Sequence, residues 1–218
     1  MNALTQLESG IVGDAASVEI LAKKKNASLL VLSDTHGHYP LFQRIVQKYG
    51  PAADALLFAG DGMWDIVRYL ENAYEDERYR AALPPVLAFV AGNGDGDRYR
   101  VCPGGQEGRE DPDSEHGYPL AVPHTQTLTA AGHRVFLSHG NRYSVDIGTE
   151  VLVNVAKASG CEIAVFGHTH MPVAETVSNV LAVNPGSPAR PRGYSSPGFA
   201  LLQLESGRNP PIVQFKKV

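Results

Sequence analysis

The chain has 218 residues, 43% hydrophobic and 19% charged, which gives enough apolar mass for a sizeable core and too little charge for a disordered chain. Its net charge of −4 argues against nucleic-acid binding driven by bulk charge. Cys102 and Cys161 read as unpaired thiols of a reducing cytoplasm, and no apolar run of membrane-spanning length or secretory leader is found, so a cytoplasmic protein is expected.

Residues 1–27 form an extension of unassigned role, ahead of one domain at 28–218. Gly10, Gly13 and Asp14 interrupt any period there, 18–22 reads as strand or helix, and Lys23 to Lys25 read as solvated. A βα rhythm follows. Residues 29–32 are a continuous apolar run of buried-strand type, and 39–49 place Leu41, Phe42, Ile45 and Val46 on one helical face. Residues 55–58 are a second strand. A helix is expected over 63–81, with Ile66, Val67 and Leu70 inward and Glu71, Glu75, Asp76, Glu77 and Arg78 outward. A third strand covers 86–90.

Residues 96–123, rich in Gly, Pro and charge, read as one long loop. Strands resume at 125–130 and 133–138 around the turn Ala131-Gly132. A helix is expected over 146–158 with Ile147, Val151, Leu152 and Val155 as its stripe, followed by a strand at 163–166. The remainder is β-rich, with strands at 179–183, 199–205 and 211–215 and turns at Pro185-Gly186 and Ser206-Gly207. The order predicts an α/β fold of two packed sheets flanked by helices rather than a single doubly wound sheet.

Five short motifs stand at the ends of apolar runs: Asp34-Thr35-His36, Gly60-Asp61, Gly92-Asn93, Ser138-His139-Gly140 and Gly167-His168-Thr169-His170. Ligands gather beyond the carboxyl ends of strands in α/β sheets, and Asp, Asn and His suit divalent first-row metals. Singly, each motif has an ordinary reading: Asp61 as a helix N-cap, Asn93-Gly94 as a turn, His36 as a surface residue. Together, in order and all at strand ends, they point to one site assembled from five loops.

In these motifs residues 28–205 resemble the calcineurin-like metallophosphoesterases, in particular their small bacterial and archaeal phosphodiesterase branch. The resemblance implies a sandwich of two mixed sheets and a hydrolase that uses two divalent ions to cleave phosphate esters, diesters ahead of monoesters. One ion would take Asp34, His36, Asp61 and His170, and the other Asp61, Asn93, His139 and His168. Asp61 and a hydroxide would bridge them, and the hydroxide would attack phosphorus. Manganese is the expected ion, with iron, zinc, nickel or cobalt as alternatives for the same ligands. The implied partner is a small phosphoester, with self-association into a homo-oligomer left open. Relatives that serve as protein-assembly subunits supply the alternative, a non-catalytic metal-binding scaffold. Asn184-Pro185-Gly186-Ser187 corresponds to a stretch near the site in relatives.

One departure matters. Where relatives carry His or Cys after the motif Asn, this chain has Gly94, so the general acid does not carry over. The catalytic set then comprises Asp61, Asn93 and Asp95, with His38 as substitute acid and His116 and Arg98 as weaker candidates. Arg142, Arg190 and Arg192 could meet phosphate but read first as surface charge, and His124 and His133 read as surface residues.

Overall fold

The computed structural model describes residues 2–104, 111 and 115–218. Its elements in chain order are β1 (Val12–Gly13), α1 (Ala15–Lys23), β2 (Asn26–Leu32), α2 (Tyr39–Tyr49), β3 (Ala55–Phe58), α3 (Met63–Glu75), α4 (Glu77–Ala82), β4 (Val86–Phe89), β5 (Arg98–Val101), β6 (Tyr118–Ala121), β7 (Thr125–Ala130), β8 (His133–Ser138), α5 (Glu150–Ala158), β9 (Ile163–Val165), β10 (Pro172–Val177), β11 (Val180–Pro185), β12 (Gly198–Glu205) and β13 (Ile212–Lys217).

Two mixed sheets pack face to face. The first has the order β1-β4-β3-β2-β12-β13, with β2, β3 and β4 parallel. The second runs β10-β11-β9-β8-β7, with β8, β9 and β11 parallel. Alternation along each strand explains the continuous apolar runs. Leu29, Val31, Leu57, Ala88 and Val90 meet Val135, Leu137, Ile163, Val165 and Val183 between the sheets. Leu30, Leu32, Leu56, Phe58, Leu87 and Phe89 point the other way, onto Phe42, Ile45, Val46, Ile66, Val67 and Leu70 of α2 and α3. On the far side, Phe136, Ala164, Phe166 and Ala182 meet Leu152, Val153 and Ala156 of α5. Among the described residues no helix is long and apolar enough to cross a membrane, and both cysteines are buried thiols outside any disulfide.

Several local expectations need correction. The helix expected over 63–81 divides at Asp76, which takes an extended backbone and caps α4 by accepting the Arg78 N–H at 2.8 Å. Glu71, expected outward, is buried and accepts the Cys102 N–H at 3.2 Å. The stretch 96–123 holds the antiparallel pair β5–β6, whose Tyr99, Val101 and Leu120 join the core under α3; residues 105–110 and 112–114 of that expected loop lie outside the described residues. The helix expected from 146 begins at Glu150, and Ile147 is 92% exposed while Leu152, Val153 and Ala156 form the buried face. His133 is buried, its Nδ1 2.6 Å from Glu162 Oε1 and its Nε2 2.9 Å from the Glu205 carbonyl. The N-terminal segment supplies β1, which pairs with β4 at the sheet edge, and an α1 capped by Asp14, which accepts the Ser17 N–H at 2.7 Å.

Candidate metal centre

The loops after β2, β3, β4, β8 and β9 emerge at one edge of the sandwich and bring the five motifs together. Two donor groups form there, Asp34 with His36 and His170, and Asp34 with Asp61 and His139. Asp34 Oδ1 lies 3.2 Å from His170 Nε2, and His36 Nε2 lies 3.1 Å from His170 Nε2. Asp61 Oδ2 stands between the groups, 4.0 Å from His36 Nε2 and 3.6 Å from His139 Nε2. His139 Nε2 is also 3.2 Å from Asn93 Oδ1. Donors each about 2.0–2.2 Å from a shared ion cannot be more than about 4.4 Å apart, and every one of these separations falls within that limit.

The backbone is bent to achieve this. Asp34, His36, Asp61, His168 and His170 all have φ between 48° and 68°. Left-handed geometry costs a non-glycine residue roughly 1–3 kcal/mol and persists only where its surroundings impose it. Here the Asp34 N–H donates to the Gly60 carbonyl at 2.9 Å, the His36 N–H to the Asp61 carbonyl at 2.9 Å, and the His168 N–H to Asp34 Oδ2 at 3.1 Å. Gly92 allows a close approach, since a Cβ there would lie 2.1 Å from Asp61 Oδ1.

Hydrogen bonds fix which ring nitrogen faces the centre. His139 Nδ1 lies 2.7 Å from the Ala59 carbonyl and His170 Nδ1 2.6 Å from the Arg190 carbonyl. A carbonyl can only accept, so each Nδ1 carries the hydrogen and each Nε2 is presented inward, the usual orientation of a metal-ligating histidine. His168 differs: its Nε2 is 3.0 Å from Asp146 Oδ2. Burial pushes the His36 pKa down, against the pull of Asp61 and Asp34, whereas the Asp34 carboxylate holds His170 above the ordinary histidine range.

Asp95 works through the backbone. Its carboxylate accepts the N–H groups of Asp61 at 2.6 Å, Gly62 at 3.0 Å, Met63 at 2.9 Å and Gly92 at 3.0 Å, tying the Asp61 loop and the start of α3 to the Asn93 loop. His38 is exposed just before α2, outside the cleft of about 270 Å³ lined by His36, Gly37, Asp61, Gly62, Trp64, Gly94, Asp95 and Arg190. Arg142 lies 2.9 Å from His124, both exposed, and His116 is exposed near the β5–β6 pair. A larger hollow of about 370 Å³ at Glu162, Thr176 and Pro210 holds none of these donors.

Sequence reading missed three kinds of residue here. Asp65 is buried and its Oδ2 accepts the Thr35 hydroxyl at 2.5 Å and the Gly37 N–H at 3.1 Å, bracing the first loop. Asp146 and Trp64 sat in stretches read as ordinary helix. Asn184 and Ser187 carry no role in their sequence context alone; Asn184 Nδ2 donates to the Gly167 carbonyl at 2.7 Å and Ser187 Oγ to the Asp34 carbonyl at 2.7 Å.

The donor chemistry fits divalent metal. Asp34 Oδ1 is fully buried, faces two histidines and makes no hydrogen bond. A buried carboxylate oxygen so placed is strongly penalised unless a cation meets it.

Comparison with known proteins gives the family. Residues 28–207 match the model of the calcineurin-like phosphoesterase superfamily domain. The chain belongs to that superfamily. It is 28% identical over 180 residues to phosphodiesterase YfcE of Escherichia coli K12, covering 80% of this chain and 86% of the relative. It is 25% identical over 182 residues to the probable metallophosphoesterase YsnB of Bacillus subtilis, covering 82% and 85%. A Streptococcus pneumoniae structure described as a predicted phosphoesterase superposes with a TM-score of 0.63 at 19% identity, over 89% of this chain and 91% of that one. The vacuolar protein sorting 29 structure of Cryptosporidium parvum gives a TM-score of 0.59 at 16% identity, over 88% and 98%, which shows shared fold alone. The phosphoesterase fold expected from the motifs is therefore found, and the family supports phosphoester hydrolysis and metal dependence.

Proposed function

We propose that this phosphoesterase cleaves phosphodiesters at a centre holding two divalent ions, in a cytoplasmic setting and with manganese as the resident metal. The observation that carries the reading is Asp61 Oδ2, placed between His36 Nε2 and His139 Nε2 beside the unsatisfied Asp34 Oδ1. Asp34, His36, Asp61 and His170 would hold one ion; Asp61, Asn93, His139 and His168 would hold the other. When bound, the pair neutralises phosphate charge and lowers the pKa of a water toward neutrality.

The remaining work falls to the chain. Asp95 sets the Asp61 loop through four backbone N–H groups. The Ala59 and Arg190 carbonyls hold His139 and His170 with Nε2 inward, while Asp146, by taking the Nε2–H of His168, would leave Nδ1 as the nitrogen that could meet an ion. Arg190, on the cleft wall, supplies a cation for phosphate. Gly94 offers no proton donor, so the leaving group departs unassisted unless His38 swings in from the rim.

The diester preference is supported by relatives named as phosphodiesterases. A binding scaffold is the second reading, prompted by the fold shared with vacuolar protein sorting 29; the clustered Asp and His donors, with Asn93 Oδ1 3.2 Å from His139 Nε2, support the hydrolase. The test is metal analysis of the purified protein together with a panel of phosphomonoesters and phosphodiesters. Two ions per chain and faster diester turnover are expected. Metal binding without turnover of any ester would leave the scaffold.

A further inference from the structure

Among the described residues Trp64 is the one large aromatic side chain in the cleft wall, and its position breaks the pattern of its helix. Met63, Ile66, Val67, Leu70 and Ala73 form the buried stripe of α3, whereas Trp64 lies off that stripe and stays 42% exposed. A helix normally places a polar residue there. An exposed aromatic among polar groups in a concave site is a common feature of ligand recognition. The ring is also braced. It meets Tyr99 edge-on, with centroids 4.9 Å apart at 85°. Tyr99 is itself buried, and its hydroxyl accepts the Gly96 N–H at 2.8 Å, one residue beyond Asp95. The same cleft contains Gly37, Gly62 and Gly94, which leave room for a flat group, and Arg190, which suits phosphate.

We propose that Trp64 is the stacking wall for a planar aromatic ring carried by the phosphoester, so that the favoured substrates are nucleoside or aryl esters rather than alkyl ones. This rests on the phosphoesterase reading of the same cleft. Stacking suits it because every nucleobase or aryl ring presents a π-face, so the wall selects aromatic over alkyl groups without reading their edges.

Trp64 is the only tryptophan in the chain, so tryptophan fluorescence reports on this wall alone. Metal-loaded protein is titrated with 5′-AMP, phenyl phosphate and glycerol phosphate. Saturable quenching by AMP, by phenyl phosphate or by both, with none by glycerol phosphate, is the expected result. Quenching by AMP alone identifies the nucleoside as the ring recognised, and comparable quenching by both identifies any aryl group. In turnover, Trp64→Leu should lower the aryl-to-alkyl ratio of kcat/KM by about tenfold, and Trp64→Phe should restore most of it. Leaving-group reactivity is common to wild type and variant and cancels from that comparison. Absence of quenching by both aromatic esters, or an aryl-to-alkyl ratio unchanged in Trp64→Leu, overturns the proposal. Quenching without turnover of any ester would defeat the hydrolase reading and leave the aromatic site standing; turnover without quenching would do the reverse.

Discussion

The two halves of the candidate metal centre are built differently. Asp34, His36 and His170 are enclosed: Asp34 and His170 are buried, the histidine nitrogens lie within 3.1 Å of each other, and Asp65 and Ser187 brace the loop from behind. On the other side, His139 is buried but Asn93 is exposed, and His168 turns its Nε2 to the exposed Asp146. The enclosed half is preformed, whereas the open half, if His168 serves it as proposed, would depend on a surface carboxylate to orient that histidine. Preformed donors lose little freedom on binding, so the enclosed half should keep its ion more firmly. Asp61 Oδ2 lies within reach of a histidine on each side, 4.0 Å from His36 Nε2 and 3.6 Å from His139 Nε2, and is proposed as the shared ligand.

The largest effect should therefore come from Asp61→Asn, an amide that bridges poorly. Activity should fall beyond the 10–100-fold typical of outer partners, and further than in Asp34→Asn. Steady-state rates at saturating metal decide it. An equal or greater loss in Asp34→Asn would transfer the shared role to Asp34, the residue common to the two donor groups.

Next is the missing acid. General acid catalysis is worth roughly 10²–10⁴-fold, so nitrophenyl esters should be cleaved far faster than alkyl esters, with rates falling steeply as leaving-group pKa rises. Gly94→His should flatten that slope. A Cβ at position 94 would lie 3.3 Å from Asp61 Oδ1, a tight contact that a small shift relieves. If His38 swings in as the acid, His38→Ala should slow alkyl esters and spare nitrophenyl esters. A shallow slope that survives His38→Ala would end both versions and make His116 the next residue to test.

A smaller effect separates the halves directly. Asp146→Ala should weaken binding of the second ion by about 10–100-fold and leave the first alone, whereas Asp146→Asn, which can still accept the His168 N–H, should retain most of it. Calorimetric titration of the metal-free protein resolves the two events. Equal weakening of both ions, or of neither, would erase the distinction between enclosed and open halves.

The clustering of the motif residues was legible because Asp, Asn and His at strand ends stand out as short motifs beside buried runs. Both sheets were legible for the same reason: strands apolar on both faces stand out at Leu29–Leu32 and at 163–166. What supports the ligands was not legible. Asp65 is an acidic residue in an amphipathic helix, and only the fold turns it toward Thr35 and Gly37. Asp146 lies in a stretch whose Ile147 and Val151 imitate a helical stripe that the chain leaves exposed. The β5–β6 pair escaped because its strands are four residues each and one contains Pro119. Glu71 shows the converse error, an outward charge by period that the β5–β6 segment covers.

The smallest effect tests how the enclosed half is stiffened. Burial pushes the Asp65 pKa up, against the pull of its bonds from Thr35 and Gly37. The fold thus favours the neutral carboxyl, so this group's contribution to stability is fully present below its unfolded pKa and lost as pH rises through the raised folded value. Both hydrogen bonds end on Oδ2, so in Asp65→Asn a single amide oxygen can accept both while the titration disappears. Denaturant unfolding of the metal-free proteins should show the variant gaining stability relative to wild type as pH rises from about the ordinary aspartate pKa of 3.9. Titration of the other carboxylates is common to both proteins and cancels in the difference. A stability difference that stays flat with pH, or one that moves against the variant as pH rises, would mean that Asp65 is held charged and that the enclosed half is braced by a carboxylate rather than by a buried neutral acid.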